Sequence, residues 1–77
     1  MTAFEHAGLK IGSHFQPIYS LAHRRSIGVE ALLRAEQGDV ALSPAEAFYT
    51  AVSPEKRHQL DLAVCQAHIQ RFLQLPS

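Results

Sequence analysis

His14-Phe15-Gln16-Pro17-Ile18-Tyr19-Ser20-Leu21, the polar Ala22-His23-Arg24-Arg25, and Ser26-Ile27-Gly28-Val29-Glu30-Ala31-Leu32-Leu33-Arg34-Ala35 decide the fold. Side chains of an extended chain alternate between two faces, so odd and even positions separate. Phe15, Pro17, Tyr19 and Leu21 share one face with Ile27, Val29, Ala31 and Leu33, and all are apolar. The other face mixes His14, Gln16, Ile18 and Ser20 with Gly28, Glu30, Leu32 and Arg34. Two such runs across a short polar reversal predict an antiparallel hairpin. Glu30 to Arg34 are good helix formers and favour a competing helix from Val29 to Gln37. Gly28 and the clean alternation favour the strand. Pro17 cannot donate to a ladder, so one side of its strand lacks a partner there or carries a bulge. With Ile18 opposite Glu30, Gln16 falls opposite Leu32 and the loop has an odd number of residues. A slip of one residue would carry Glu30 to the apolar face.

Downstream, Gln37-Gly38-Asp39 reads as a turn. Ser43-Pro44-Ala45-Glu46 is a helix start, with Ser43 as cap, Pro44 in the first position and Glu46 completing a capping box. That helix is short and ends near Ala51. Ser53-Pro54, with Glu55 in the first turn, opens a long helix that runs to Leu73 or Gln74 and stops before Pro76. Leu62, Cys65, Ile69 and Phe72 fall on one side of it, which makes that side the apolar one and Cys65 a small buried thiol. Upstream, residues 1–13 read as a leader in which Gly8 and Gly12 interrupt any helix, with at most one helical turn over Phe4 to Gly8. Residues 14–77 are the folded portion.

Seventy-seven residues with 47% hydrophobic content make one small unit, which buries little more than ~60% of its unfolded surface. Seven Lys+Arg against seven Asp+Glu leave no net charge, which argues against a DNA or RNA platform and against a polybasic membrane anchor. A lone cysteine, Cys65, excludes an intramolecular disulfide and fits a reducing compartment. The longest stretch without Asp, Glu, Lys or Arg, Ile11 to His23, is too short and too polar to span a bilayer. Met1 to Glu5 shows neither a basic nor an apolar segment of a secretion signal, so the expected address is the cytoplasm. A hairpin with two helices leaves sheet edges unpaired and an apolar face partly bare, which predicts self-association.

The mixed face has an ordinary explanation, since antiparallel sheets commonly bury one face and solvate the other. A functional explanation also exists. If both faces are covered, Glu30 and Arg34 line a site in which a metal or ligand balances buried charge. Elsewhere the chemistry is thin. His6, His14, His23, His58 and His68 show no ligand spacing on a shared element. Arg24-Arg25 is a solvated turn, and Asp61 suits helix packing or capping.

The residues themselves carry a more specific signal. The Gln16-Pro17-Ile18 element, the loop, and Glu30-Ala31-Leu32-Leu33-Arg34, followed by Ser43-Pro44-Ala45-Glu46-Ala47-Phe48 and the Leu60-Asp61 to Leu73 stretch, resemble the opening of the EAL domain family, the cyclic di-GMP phosphodiesterases. The resemblance covers residues 14 to 75 in the family's order and spacing. It implies an α/β chain forming the N-terminal part of a modified (β/α)8 barrel, in which an antiparallel hairpin precedes a short and a long helix. Such barrels need ~250 residues, so this chain corresponds to about the first third, and the family's remaining acidic ligands and lysine lie beyond Ser77. Position by position, Glu30 matches the motif glutamate that coordinates a divalent metal, Mg²⁺ or Mn²⁺. Gln16 matches the glutamine that meets the nucleotide, Leu32 an apolar ligand contact, and Arg34 the arginine near the phosphate. In the family, metal-activated water opens cyclic di-GMP to linear pGpG. The expectation is therefore a phosphodiesterase when complete and an inactive fragment alone. A receptor of the same fold, or an interaction domain, is the alternative. Ala35 stands where many members carry an aromatic residue, and Tyr49 to His58 lacks the acidic, glycine-containing stretch common there.

Overall fold

The computed structural model describes residues 4–76. Four antiparallel strands, β1 (Phe4–His6), β2 (Leu9–Ser20), β3 (Arg25–Gln37) and β4 (Val40–Leu42), form one sheet in the order β1-β2-β3-β4. Helices α1 (Pro44–Tyr49) and α2 (Pro54–Leu73) follow. The chain is thus a mixed α and β unit: one sheet with helices packed on one face. The predicted hairpin, short helix and long helix are all present.

Residues 4–12, read from the sequence as part of a leader, belong to the sheet. Ala7 and Gly8 form a two-residue turn with φ of 49° and 82°, the positive-φ pair that a twisted hairpin demands. That turn folds Phe4–His6 onto Leu9–Ile11. Gly8 therefore closes a hairpin instead of breaking a helix. Leu9 and Ile11 are each 1% exposed, the most deeply buried large side chains among the described residues. Strand β2 starts at Leu9, five residues before the expected His14. Gly38, with φ 62°, closes the second two-residue turn and brings in β4, which extends the expected turn into a further strand.

Up to Ile18 the main hairpin keeps the predicted parity but shifts in register, and beyond it Tyr19 pairs with Ser26, so the tip leaves the expected odd-with-odd grouping. Gln16 lies opposite Glu30 and Ile18 opposite Gly28, two residues from the expected pairing. A bulge between Ile18 and Tyr19 takes up Ile27, and the reversal Leu21–Arg24 is four residues, not an odd number. Face alternation forbids a slip of one but says nothing about a slip of two, so the turn and the bulge decide.

Odd positions Leu9, Ile11, Leu33 and Ala35 of the sheet meet Leu60, Ala63, Val64 and Ala67 of α2, with Ala47 of α1 and Ala51 completing the core. This corrects the expected orientation of α2. Leu62, Cys65, Ile69 and Phe72 do share one side, but it is the exposed side, and the Cys65 thiol is exposed with them. Ala63 and Ala67 let the helix backbone approach the sheet, whereas the larger residues would hold it away. Phe72 reaches back to the sheet, its ring centroid 6.1 Å from that of Phe15 in an edge-to-face arrangement. Both helix starts form as predicted. Ser43 Oγ accepts from Glu46 N–H while Glu46 Oε1 accepts from Ser43 N–H, and Ser53 Oγ accepts from Lys56 N–H.

Candidate functional site

The register places the four sequence-derived site residues together. Gln16 and Glu30 are direct cross-strand neighbours, which puts their Cα atoms roughly 5 Å apart. Leu32 and Arg34 follow at two-residue steps on the same face, opposite His14 and Gly12. Glu30 and Arg34 are therefore separated by about 13 Å along β3. This even face is the one the helices leave uncovered. Gln16, Glu30 and Arg34 are exposed on it and Leu32 is half-buried. The covered-site version of the sequence reading is not met within residues 4–76, because nothing there lies over Glu30.

The surroundings are charge-balanced. Lys10 stands opposite Glu36 at the β1–β4 end of the same face, and opposite charges so placed favour the pairing. Arg34 borders a cavity of about 290 Å³ that Lys10, Gly12, Glu36 and Leu42 also line. Its guanidinium Nη1 donates to the Leu33 carbonyl at 3.1 Å. His14, set aside in the sequence as one of five scattered histidines, joins this face, two residues before Gln16. The period-two pattern that grouped Gln16 with Glu30 was the signal for it.

Glu30 has the right chemistry for a hard divalent cation, since carboxylate oxygen suits Mg²⁺ or Mn²⁺. It is only one ligand. Glu36, the next carboxylate on that face, lies six residues away, roughly 20 Å along the strand. Among the described residues no three His, Cys, Asp or Glu side chains gather as a metal-binding group. The donor fits a metal in kind; the other oxygens of an octahedral shell must come from elsewhere.

A second polar contact lies on the opposite, helix-covered face. Ser13 Oγ and His68 Nδ1 are 2.5 Å apart and bridge β2 to α2. Burial holds the His68 pKa below the usual histidine value, so the neutral ring that can accept the Ser13 hydroxyl proton is favoured. Among the described residues no carboxylate is hydrogen-bonded to this pair, and its position between helix and sheet makes it a fastening.

No family model, curated protein or solved structure matches the chain. No described helix is long and apolar enough to cross a membrane.

Proposed function

We propose that this chain is the N-terminal part of an EAL-type phosphodiesterase that hydrolyses cyclic di-GMP to linear pGpG. One observation supports the reading above the others. Gln16, Glu30, Leu32 and Arg34, selected by motif alone, occupy a single sheet face, and it is the face opposite the helices. A barrel needs that division, with helices outside and the other face of the strands turned inward. In the proposed modified (β/α)8 barrel, strands beyond this chain continue the sheet and enclose the now open face.

The roles follow from the side chains. Glu30 would offer a carboxylate oxygen to Mg²⁺ or Mn²⁺, which when bound would supply an activated water. Gln16, directly across from Glu30, offers both a donor and an acceptor to the nucleotide. Arg34 offers a planar fork of N–H donors that matches a phosphodiester. Leu32 gives the ligand an apolar surface between the two charges. The cytoplasm, where cyclic di-GMP is made and read, is the proposed location.

The test uses the complete polypeptide that contains this chain, with Mg²⁺ or Mn²⁺ present. Glu30→Gln keeps the shape and removes the charge. Turnover should fall by orders of magnitude while nucleotide affinity changes little. Arg34→Ala should weaken binding by roughly 1.5–3 kcal/mol, the range for a hydrogen bond to a charged group. Calorimetry and chromatography of the product read both. Wild type that binds cyclic di-GMP without releasing pGpG indicates a receptor, and wild type that does neither refutes both readings.

A further inference from the structure

At the base of the main hairpin the even face of the sheet is laid out in two cross-strand rows. Lys10 of β2, Glu36 of β3 and Ala41 of β4 form one, and Gly12 and Arg34 the next. Long charged side chains thus surround Gly12 and Ala41, which carry almost no side chain. The result is a depression of about 290 Å³ whose lining includes Lys10, Gly12, Arg34, Glu36, Ala41 and Leu42. Pockets for whole small molecules run from ~300 to ~1,000 Å³, so this one takes a single ring system and not an entire dinucleotide. A Cβ built on Gly12 would meet the Arg34 Cβ at 3.8 Å and the Arg34 carbonyl oxygen at 3.9 Å, both ordinary contacts. The sheet therefore does not require glycine at that position, and the bare floor is a property of the cavity.

The charges around this depression do not suit a simple anion. Lys10 and Arg34 attract one, but the Glu36 carboxylate repels it. They suit a group that shows acceptors and donors next to each other. The Watson–Crick edge of guanine is such a group, with the O6 acceptor beside the N1–H and N2–H donors. A lysine ammonium offers only donors and an ionised carboxylate only acceptors. Lys10 and Glu36 are direct cross-strand neighbours, so their Cα atoms lie roughly 5 Å apart on the same face. Adenine carries a donor at N6 in place of O6 and has no N1–H, so it meets each of these groups with the wrong partner.

We propose that this depression is a guanine-base subsite, in which Lys10 donates to O6, Glu36 accepts from N1–H and N2–H, and the ring lies over Gly12 and Ala41. The inference rests on the proposed roles of Glu30 with metal and Arg34 with phosphate. Along the even face the order is Glu30, then Arg34, then Lys10 with Glu36, which is the order metal, phosphate, base of a bound nucleotide. Arg34 is held at the border of the depression, where one N–H of its fork, on Nη1, donates to the Leu33 carbonyl at 3.1 Å. Lys10 and Glu36 lie outside the motif that singled out Gln16, Glu30, Leu32 and Arg34. Their part is the choice of base and not the chemistry at the phosphodiester.

The test reads base preference, which a purely structural role for these residues would not move. The complete polypeptide that contains this chain is titrated with GMP, IMP and AMP without divalent metal, and the amide resonance of Ala41 reports binding. GMP should bind about tenfold or more tighter than AMP, the factor that one hydrogen bond to a charged group supplies. IMP, which lacks the N2 amino group, should fall between them. Glu36→Ala should bring GMP down to the level of AMP. Gly12→Val meets only ordinary contacts at its Cβ and should weaken GMP binding by filling the floor. Equal affinity for GMP and AMP overturns the subsite, and so does a GMP preference that survives both variants, whether or not cyclic di-GMP is cut. A Glu36-dependent GMP preference in a protein that neither binds nor cuts cyclic di-GMP upholds the subsite and refutes the proposed function. Binding of no nucleotide at all overturns both.

Discussion

Leu9→Ala distinguishes a leader from a core. The substitution removes three carbons from a side chain that is 1% exposed and packed among core residues of the sheet and α2. At about 0.8 kcal/mol per carbon, the transfer loss alone is about 2.4 kcal/mol. The void adds about 24 cal/mol per Å³ that remains unfilled. Leu9 also lines an opening of about 270 Å³ shared with His6, Ala51 and Leu60, so water and neighbours can enter and the void contribution is small. The expected destabilisation is about 3 kcal/mol, within the range measured for buried leucines. A domain of this length has ~4–12 kcal/mol in total, so the variant loses a large share. Urea titration followed by circular dichroism should show a lower midpoint at unchanged slope. Leu21→Ala, at an 85% exposed tip residue, is the control and should change stability by less than ~0.5 kcal/mol. A Leu9→Ala loss no larger than that of the control would refute the placement of residues 4–12 in the core.

Acid stability should depend on His68. Its folded pKa is lowered by burial, so the unfolded chain binds the proton more readily and stability rises with pH in that range. The contribution is complete above the ordinary value of about 6.5 and is lost as pH falls below it. His68→Gln should flatten that part of a stability–pH curve. Glu46, whose pKa is lowered by hydrogen bonds from the backbone and side chain of Ser43, acts in a separate window, with stability lost as pH falls below the usual carboxylate value. Ser43→Ala removes the Oγ that accepts from Glu46 N–H while the backbone N–H to Glu46 Oε1 bond remains, and it should cost about 1 kcal/mol, read by denaturant titration, with faster amide exchange in α1.

Helix starts were legible because their signal is local: Ser43, Pro44 and Glu46 satisfy the orphan N–H groups of one turn, whatever the rest of the chain does. The shared face of Gln16, Glu30, Leu32 and Arg34 was legible because it needs only parity. Register within that parity was not, because a two-residue shift leaves every side chain on its own face. The first strand was missed for a different reason. Phe4–His6 is three residues long, too short for alternation to show, and Ala7 in a positive-φ turn position is an unusual choice. The orientation of α2 failed because the helix is apolar on two sides. Large residues on one side outweighed the alanines on the other, although small side chains allow the closer approach.

The bulge between Ile18 and Tyr19 divides the main hairpin into two ladders held by different forces. Below it, the pairing of Leu9–Ile18 with Gly28–Gln37 is fixed by buried side chains and by two tight turns at its base. Above it only Tyr19–Ser26 and Ser20–Arg25 pair, around a reversal whose residues are all exposed. A length change between Leu21 and Arg24 can therefore be absorbed by re-forming two pairs, without passing through the bulge to Gln16 and Glu30. Loop closure grows costlier only slowly with length, by about 0.6 kcal/mol per doubling. The tip is thus a natural splice point, where an epitope or a reporter peptide can be inserted while the candidate site keeps its alignment.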